Sequence, residues 1–475
     1  MRNHPTPTCW KPPDLLTGNS GAPWLEDGEH HLARSEARER VRRLARRLAW
    51  AGLRPGDRVA WLPRPEVAGL LAALAALEAG AELALLPLRE TPARLEEEIR
   101  RLEPRLVLAP REFGTPPSMS PHALDGLGPL PATGAPAGRP GRVLLRSSGS
   151  GSAPRWLVHR LESLLVSAAA AARHLRVTTA DGWLLSLPLD HVGGLGILLR
   201  SLVTGCRLCL PGPEGLAGDL RSLAPTLLSL VPAQLTRLAT TTPPAGLRVA
   251  LLGGAPLDQA LRERATASGW PLVSSYGASE TGSLVCATLL PNPARKPPRP
   301  GSAGSPISPH QVELDEGGRI AVASPCLFEA ELDEAGRPIE RRGDCWRSED
   351  LGCWEEGQLI VLGRADRLII SGGEKIRPEE VEEALRSLPE VRQAAVVAIP
   401  DPVLGRRPAA FVAWSAGPLP ALADLRRRLE PLLARHKHPA RIWPWPADEV
   451  LDWKPSHERL GRLAEKLLER ESDGS

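Results

Sequence analysis

An α/β protein is what this sequence predicts: a large multi-subdomain N-terminal α/β region that includes a β-rich part, followed by a small α+β C-terminal domain. Three observations carry that reading. Helical periods alternate with short apolar runs from residue 33 to residue 252, two Pro-rich breaks divide the chain, and a shorter set of helices and strands follows residue 364. The chain has 475 residues, room for two to four structural units at about 150 residues each. Apolar residues at 42% and charged residues at 24% place it among folded globular chains.

Residues 33–50 (ARSEARERVRRLARRLAW) alternate charged and apolar side chains with helical period, and Gly52 with Pro55-Gly56-Asp57 stops that helix before the run RVAWL. The same unit recurs at 66–79 with 83–86, and at 91–102 with 106–108. Repetition of this kind predicts a doubly wound core. Between 112 and 140 the period stops and Pro, Gly and Ser accumulate, as in a linker or surface loop. A strand at 142–145, a Gly/Ser loop, an Ala-rich helix at 162–175 and more αβ units through 252 come next. The second break, 291–306, precedes strand-like alternation with hairpin turns at 316–318 and 334–336. A helix at 378–388, strands at 394–398 and 410–414 and a helix at 421–436 form the last unit, so the domains are expected at 1–363 and 364–475.

Lys plus Arg at 59 nearly balance Asp plus Glu at 56, with the signs interleaved, so no nucleic-acid partner is implied. The longest apolar stretch, 68–88, contains Glu78 and Glu82, each costing roughly 2 kcal/mol or more at a bilayer centre; it reads as a buried helix and a strand, not a membrane span. The start, MRNHPTPTCWKPP, lacks the apolar core of a signal peptide, and seven scattered cysteines make no disulfide framework, so a cytoplasmic location is expected. Cys206 and Cys209 form a CxxC without a second pair or a nearby His, which reads as a buried strand. The composition leaves room for a homo-oligomer. Thirteen Trp stand beside 3 Phe and 1 Tyr, so whatever Tyr276 does, it does alone.

Ser147-Ser148-Gly149-Ser150-Gly151-Ser152 follows a strand and is read as preceding a helix; its backbone N–H groups and small side chains suit an anion, and equally a flexible linker. It lacks the Lys of a Walker loop. Four further segments follow in order: Tyr276-Gly277-Ala278-Ser279-Glu280-Thr281, Ser348-Glu349-Asp350-Leu351-Gly352, Gly363-Arg364-Ala365-Asp366 and Ile370-Ser371-Gly372-Gly373-Glu374-Lys375-Ile376. With these five segments the chain resembles the adenylate-forming superfamily of acyl-CoA synthetases, over nearly its whole length.

The resemblance implies ATP, Mg²⁺ and coenzyme A as ligands, a carboxylic acid as the small-molecule partner, and a C-terminal domain that rotates between two half-reactions. It places Ser147, Ser148, Gly149, Ser150, Gly151 and Arg155 around the ATP phosphates, Arg155 standing for the usual Lys and Trp156 for the usual Gly. Tyr276 and Gly277 would face adenine, Ser279 stands for the usual Thr, and Glu280 is the hard oxygen ligand for Mg²⁺. Asp350 matches the ribose carboxylate, Arg364 a cation beside the nucleotide, Asp366 the hinge, and Gly372 and Gly373 the loop along the pantetheine tunnel. Lys454, in LDWKPSHERL, is the candidate catalytic lysine, with Trp453 where the family has Gly and His457 where it has Arg.

The segment from Leu187 to Gly196 (LPLDHVGGLG), LLSLVPAQL at 227–235 and LLGGAP at 251–256 resemble most the o-succinylbenzoate–CoA ligases of menaquinone and phylloquinone synthesis. That likeness implies Gly253, Gly254 and Ala255 beside the adenine and acyl pockets, and His191 and Ser283 at the acid, with His191 also a candidate catalytic residue. A His after a Pro-Leu-Asp turn also fits a plain helix N-terminus. A ligase for another aryl or fatty acid, or a degenerate nucleotide-binding relative, are the competing readings.

Overall fold

The computed structural model describes residues 21–28, 31–109, 118–119, 141–147, 155–292, 298–299, 301–415, 417–447 and 457–473. Among them, strands assemble into sheets of eight, nine, four and five. In the eight-stranded sheet Arg142–Arg146, Glu82–Leu85, Arg58–Trp61, Leu106–Leu108 and Ser118–Met119 run parallel, and antiparallel strands extend one edge. The nine-stranded sheet has a parallel centre with Leu272–Ala278, Val249–Leu252, Leu227–Leu230, Gly182–Leu184, Arg207–Cys209 and Pro23–Glu26 side by side.

Both sheets are covered on both faces, which is why their strands read as continuous apolar runs. Val59 and Trp61 point into one cluster and Ala60 into another, as the two-residue period of a strand requires. Helices Arg34–Trp50, Val67–Glu78, Leu161–His174 and Val192–Thr204 pack with the facing sides of both sheets in a single apolar cluster. Helix Pro92–Leu102 covers the outer face of the first sheet, and helices Gly215–Ser222, Pro232–Leu238 and Gln259–Ala267 that of the second. Tryptophans supply the aromatic bulk. Trp24, Trp61, Trp156 and Trp183 are fully buried. The indole N–H of Trp24 bonds Ser201 Oγ at 2.8 Å, that of Trp183 bonds Ser229 Oγ at 3.1 Å, and that of Trp156 bonds Glu98 Oε2 at 2.6 Å.

The β-rich part is the four-stranded antiparallel sheet of Gln311–Leu314, Arg319–Ala323, Cys345–Glu355 and Gln358–Arg364. Beyond it, a hairpin of Val391–Asp401 and Gly405–Trp414 carries helices Pro378–Arg386 and Leu422–Leu429 on one core and helix His457–Asp473 on another. This small C-terminal unit is the expected α+β domain. The CxxC lies in the buried run, with both thiols pushed up by burial, Cys209 to about 12, and no metal-binding cluster of His, Cys, Asp or Glu occurs among the described residues.

Two expectations need correction. The helix expected at 421–436 ends at Leu429, because Pro431 has no N–H to donate and its ring crowds the carbonyl four residues back; a short 3₁₀ turn, Arg435–Lys437, follows instead. The Gly/Ser loop does not lead directly into a helix. Strand Trp156–Arg160 intervenes and pairs antiparallel with Arg142–Arg146, so residues 147–155 connect a hairpin. Trp156 fills the outer core and His159 the opposite face, and this two-sided burial holds the segment extended. Most of the 112–140 stretch lies outside the described residues; Ser118–Met119 adds a short parallel strand.

Burial of His159 and His310 holds both imidazoles well below their ordinary range, at about 4. An unfolded chain protonates these groups near pH 6.5, so between about pH 6.5 and 4 it binds more protons than the folded one. Stability present above that window is lost as the pH falls through it. Asp181, held down to about 2 through Arg248 despite burial, loses its contribution only at lower pH. Thermal melts should therefore show Tm declining already between about pH 6.5 and 5, and His159→Leu should flatten the decline; a Tm constant over that range would refute the assignment.

Candidate active site

Strands Val249–Leu252 and Leu272–Ala278 are parallel neighbours, and Gly253-Gly254-Ala255 and Tyr276 to Glu280 sit at their carboxyl ends. Open α/β sheets bind ligands along that edge. A bulge at Tyr276 and Gly277 sets the register with Ser283–Ala287, and a Cβ on Gly277 would fall 1.9 Å from the Ser283 carbonyl oxygen. Glycine is required there by contact alone.

Tyr276 is 8% exposed, its ring packed among Val285, Ile320, Val322 and Leu359. Its hydroxyl donates to Asp350 Oδ2 at 2.7 Å and lies 3.4 Å from Ser348 Oγ. Burial and the Asp350 charge push the phenol far above its ordinary range, so it is a permanent donor. Asp350 faces Arg364 across the hairpin of the β-rich sheet and accepts from its Nη1 at 3.2 Å. The same guanidinium forks onto Asp366, at 2.9 Å from Nε and 2.7 Å from Nη2. Burial opposes the Arg364 charge, but Asp366 and Asp350 outweigh it and raise its pKa. Four residues separated in sequence thus form one chain, Tyr276–Asp350–Arg364–Asp366.

A second group surrounds Glu280. The turn Ser279–Thr281 presents it, held by a bond from the Ala278 N–H to Thr281 Oγ at 3.1 Å and one from the Phe328 N–H to the Glu280 carbonyl at 3.0 Å. Burial raises the Glu280 pKa, opposed by Arg155, whose Nη2 is 3.8 Å away. Arg155 also bonds Glu331 at 2.8 Å. The Ser147 N–H to Arg155 carbonyl bond, 2.7 Å, and the Arg155 N–H to Ser147 Oγ bond, 3.2 Å, close the base of the loop. Ser148, Gly149, Ser150 and Gly151 lie outside the described residues. A buried carboxylate with one half-exposed cation beside it fits a divalent metal, since magnesium is held by one or two carboxylates together with phosphate oxygens and water.

The third group joins Ser283, which the sequence reading places at the acid, to Arg200, which it does not name. Arg200, in the middle of helix Val192–Thr204, is 2% exposed and stacks over Trp183 at 5.3 Å. Its Nη2 donates to Ser283 Oγ at 2.8 Å, and Nε has no partner. Among the described residues no carboxylate pairs with this guanidinium, whose pKa burial lowers to about 10. Ser283 has φ +120°, a strained value for a residue with a side chain. The available signal was the single charge in VGGLGILLRSLVT. His191 caps the start of that helix without a side-chain capping bond; its side chain is 48% exposed, 4.0 Å from Asp190.

The chain matches the family described as AMP-binding enzyme over residues 16–330, and its C-terminal domain over 380–449. It belongs to the AMP-binding enzyme family. A 2-succinylbenzoate–CoA ligase of Geobacillus kaustophilus is 31% identical, over 94% of each chain. One of Salmonella typhimurium is 31% identical over 90% of this chain and 92% of its own. Among solved structures, wild-type E. coli MenE with a bound analogue of OSB-AMS has a TM-score of 0.74 and 28% identity, covering 94% of this chain and 96% of that one. Bacillus subtilis o-succinylbenzoate coenzyme A synthetase in complex with ATP and magnesium has a TM-score of 0.80 and 25% identity, covering 92% and 96%.

In this AMP-binding enzyme Gly372 and Gly373 turn the hairpin between Ile369–Ser371 and Glu374–Ile376, at φ +57° and +89°, values that favour glycine without any ligand. They belong to the C-terminal sheet, and no described hydrogen bond or ion pair joins them to the three groups above. Lys454 lies outside the described residues. Removing the hydroxyl that orients Asp350, by Tyr276→Phe, should weaken AMP binding about tenfold, as expected for one hydrogen bond to a charged group. Calorimetric titration with AMP checks this; an unchanged Kd would mean that Arg364 alone holds the carboxylate.

Proposed function

We propose that this AMP-binding enzyme is an ATP-dependent acid–thiol ligase whose acid is o-succinylbenzoate, making o-succinylbenzoyl-CoA for menaquinone or phylloquinone synthesis. The observation that carries the choice of acid is Arg200: a fully buried guanidinium with no carboxylate partner among the described residues, bonded to Ser283. A substrate with a second carboxylate supplies the missing anion, and a monocarboxylate does not. The 2-succinylbenzoate–CoA ligases that resemble the chain end to end support the same reading. In this reading His191, at the start of the same helix, borders the acid. The free described cysteines, with Cys345 exposed, support a cytoplasmic setting.

In the first half-reaction a carboxylate oxygen of the acid bonds the α-phosphorus of ATP, the α–β anhydride bond breaks, and pyrophosphate leaves with the electron pair. In the second, the CoA sulfur loses its proton and bonds the acyl carbon, and AMP departs. The first step crowds anions together. Loop 147–155 with Arg155 surrounds the phosphates, Lys454 neutralises the forming pentavalent centre, and Asp350 accepts from the ribose hydroxyls. Tyr276 borders the adenine site with Gly253, Gly254, Ala255 and Gly277. Ser279 offers a hydroxyl beside Glu280, and Glu280 would hold magnesium, which would spread the phosphate charge. The unit from residue 364 onward turns about Asp366 for the second step, bringing Gly372 and Gly373 to the pantetheine arm.

Acid-dependent pyrophosphate release with Mg-ATP, compared for o-succinylbenzoate, benzoate and a medium-chain fatty acid, tests the reading. Release with o-succinylbenzoate alone is expected. Release only with another acid would overturn the substrate, and silence with all three despite ATP binding would make the chain a non-catalytic relative. Arg200→Met should raise KM for o-succinylbenzoate about a hundredfold and leave KM for ATP unchanged, the cost of truncating one partner of a buried charge pair. Lys454→Ala should abolish adenylate formation and leave thioesterification of supplied acyl-adenylate intact. Equal loss of both steps, or of neither, would refute that role.

A further inference from the structure

Glu382 is buried in helix Pro378–Arg386, and its Oε1 gathers three donors from three separate elements. Arg367 Nη2 lies at 2.6 Å, the Val396 N–H at 2.9 Å and His457 Nε2 at 3.2 Å. Arg386 lies 3.9 Å from the other oxygen, and Arg367 forks onto Glu379 at 2.6 Å. Despite full burial the carboxyl is held down to about 2, chiefly by Arg367 and then by His457, so it stays ionised. Two of these donors have telling places in the chain. Arg367 directly follows Asp366, and His457 is the third residue after Lys454. Three peptide links keep the Lys454 Cα within about 11 Å of that of His457.

We propose that Glu382 and His457 are positioning residues for adenylation: one buried carboxylate ties the chain beside the hinge to the chain beside Lys454. The inference rests on the reading of Lys454 and Asp366 given above. Helix His457–Asp473 has separate anchorage, with Leu460 and Ala464 in an apolar cluster and Glu471 bonding Trp443 at 3.1 Å. The tie at its first residue is therefore not what keeps the helix on the domain. Its effect is to make the residues beside Asp366, helix Pro378–Arg386 and the start of helix His457–Asp473, three residues after Lys454, turn as one body. Rotation then delivers Lys454 to one place, not to a range of places. A guanidinium at position 457 can make the same bond to Glu382, so His457→Arg preserves the tie.

The experiment separates the two half-reactions in the full-length enzyme for His457→Ala, His457→Arg, Glu382→Gln and Lys454→Ala, with thermal melts for each. His457→Ala should lower kcat for pyrophosphate release about tenfold, with KM for ATP and the rate from supplied acyl-adenylate each within about twofold of the parent. Glu382→Gln should follow it, and His457→Arg should restore the rate. Equal loss of both half-reactions in a folded His457→Ala, no loss, or failure of His457→Arg to recover activity would overturn the proposal. If Glu382→Gln loses the fold, the two variants at partly exposed His457 decide. A Lys454→Ala variant without selective loss would sink the reading of the lysine. Selective loss there with none in His457→Ala would sink only the tie.

Discussion

The Asp350 carboxylate, bonded by the Tyr276 hydroxyl on one side and Arg364 on the other, joins three parts of the molecule that sequence separates. Tyr276 belongs to the central strand edge of the nine-stranded sheet, Asp350 and Arg364 to the β-rich sheet, and Arg364 hands the charge on to Asp366. A half-buried carboxylate needs its charge answered, and here the answering groups fix a strand end, a hairpin and the turn Ala365–Arg367 relative to each other. The register between Cys345–Glu355 and Gln358–Arg364 serves the same end, since it sets Asp350 opposite Arg364. Shifting either strand by one residue would turn its own charged side chain to the other face and part the pair.

Much of this arrangement was legible in the sequence because its causes are local. Helical period, Gly/Pro stops and apolar runs located the core helices and parallel strands to within a few residues, since each is buried on a face that the pattern declares. The motif residues Tyr276, Glu280, Asp350, Arg364 and Asp366 do converge on two neighbouring groups. What escaped has non-local causes. Strand Trp156–Arg160 is short and apolar, and only pairing with Arg142–Arg146 and burial of Trp156 against Glu98 make it a strand. Helix Leu422–Leu429 was read too long because a favourable composition continued past Pro431, whose missing donor ended it. Arg200 gives no signal in the sequence beyond its single charge, where a lone Arg in a helix fits a solvated face; it is the packing of that helix between two sheets that buries it.

The charges near the site fall into two kinds, and the difference separates scaffold from chemistry. Asp181 with Arg248, and Glu382 with Arg367 and His457, are closed sets in which burial is answered within the protein. Glu280 and Arg200 are open: burial raises the pKa of one and lowers that of the other, and their protein partners leave much of that penalty standing. An open buried carboxylate calls for a cation and an open buried guanidinium for an anion. In the proposed function a ligand completes each of them and so offsets a burial cost that the protein's own groups leave standing.

That distinction also accounts for the departures in the phosphate loop. Arg155 reaches both Glu280 and Glu331 from a half-exposed position, so its guanidinium bridges Glu280 and the strand Ala330–Leu332, which pairs with the strand that begins at Trp156. A lysine ammonium is a point charge; the planar fork can address two acceptors at once. Trp156, in place of the usual glycine, points the other way, into the outer core, where its indole bonds Glu98, whose second oxygen bonds Arg146 at 3.0 Å. The bulky substitution therefore occupies the face of the strand away from Arg155 and anchors the loop's exit instead of obstructing it. Position 155 keeps a positive charge beside Glu280 while position 156, the first residue of the strand, supplies packing.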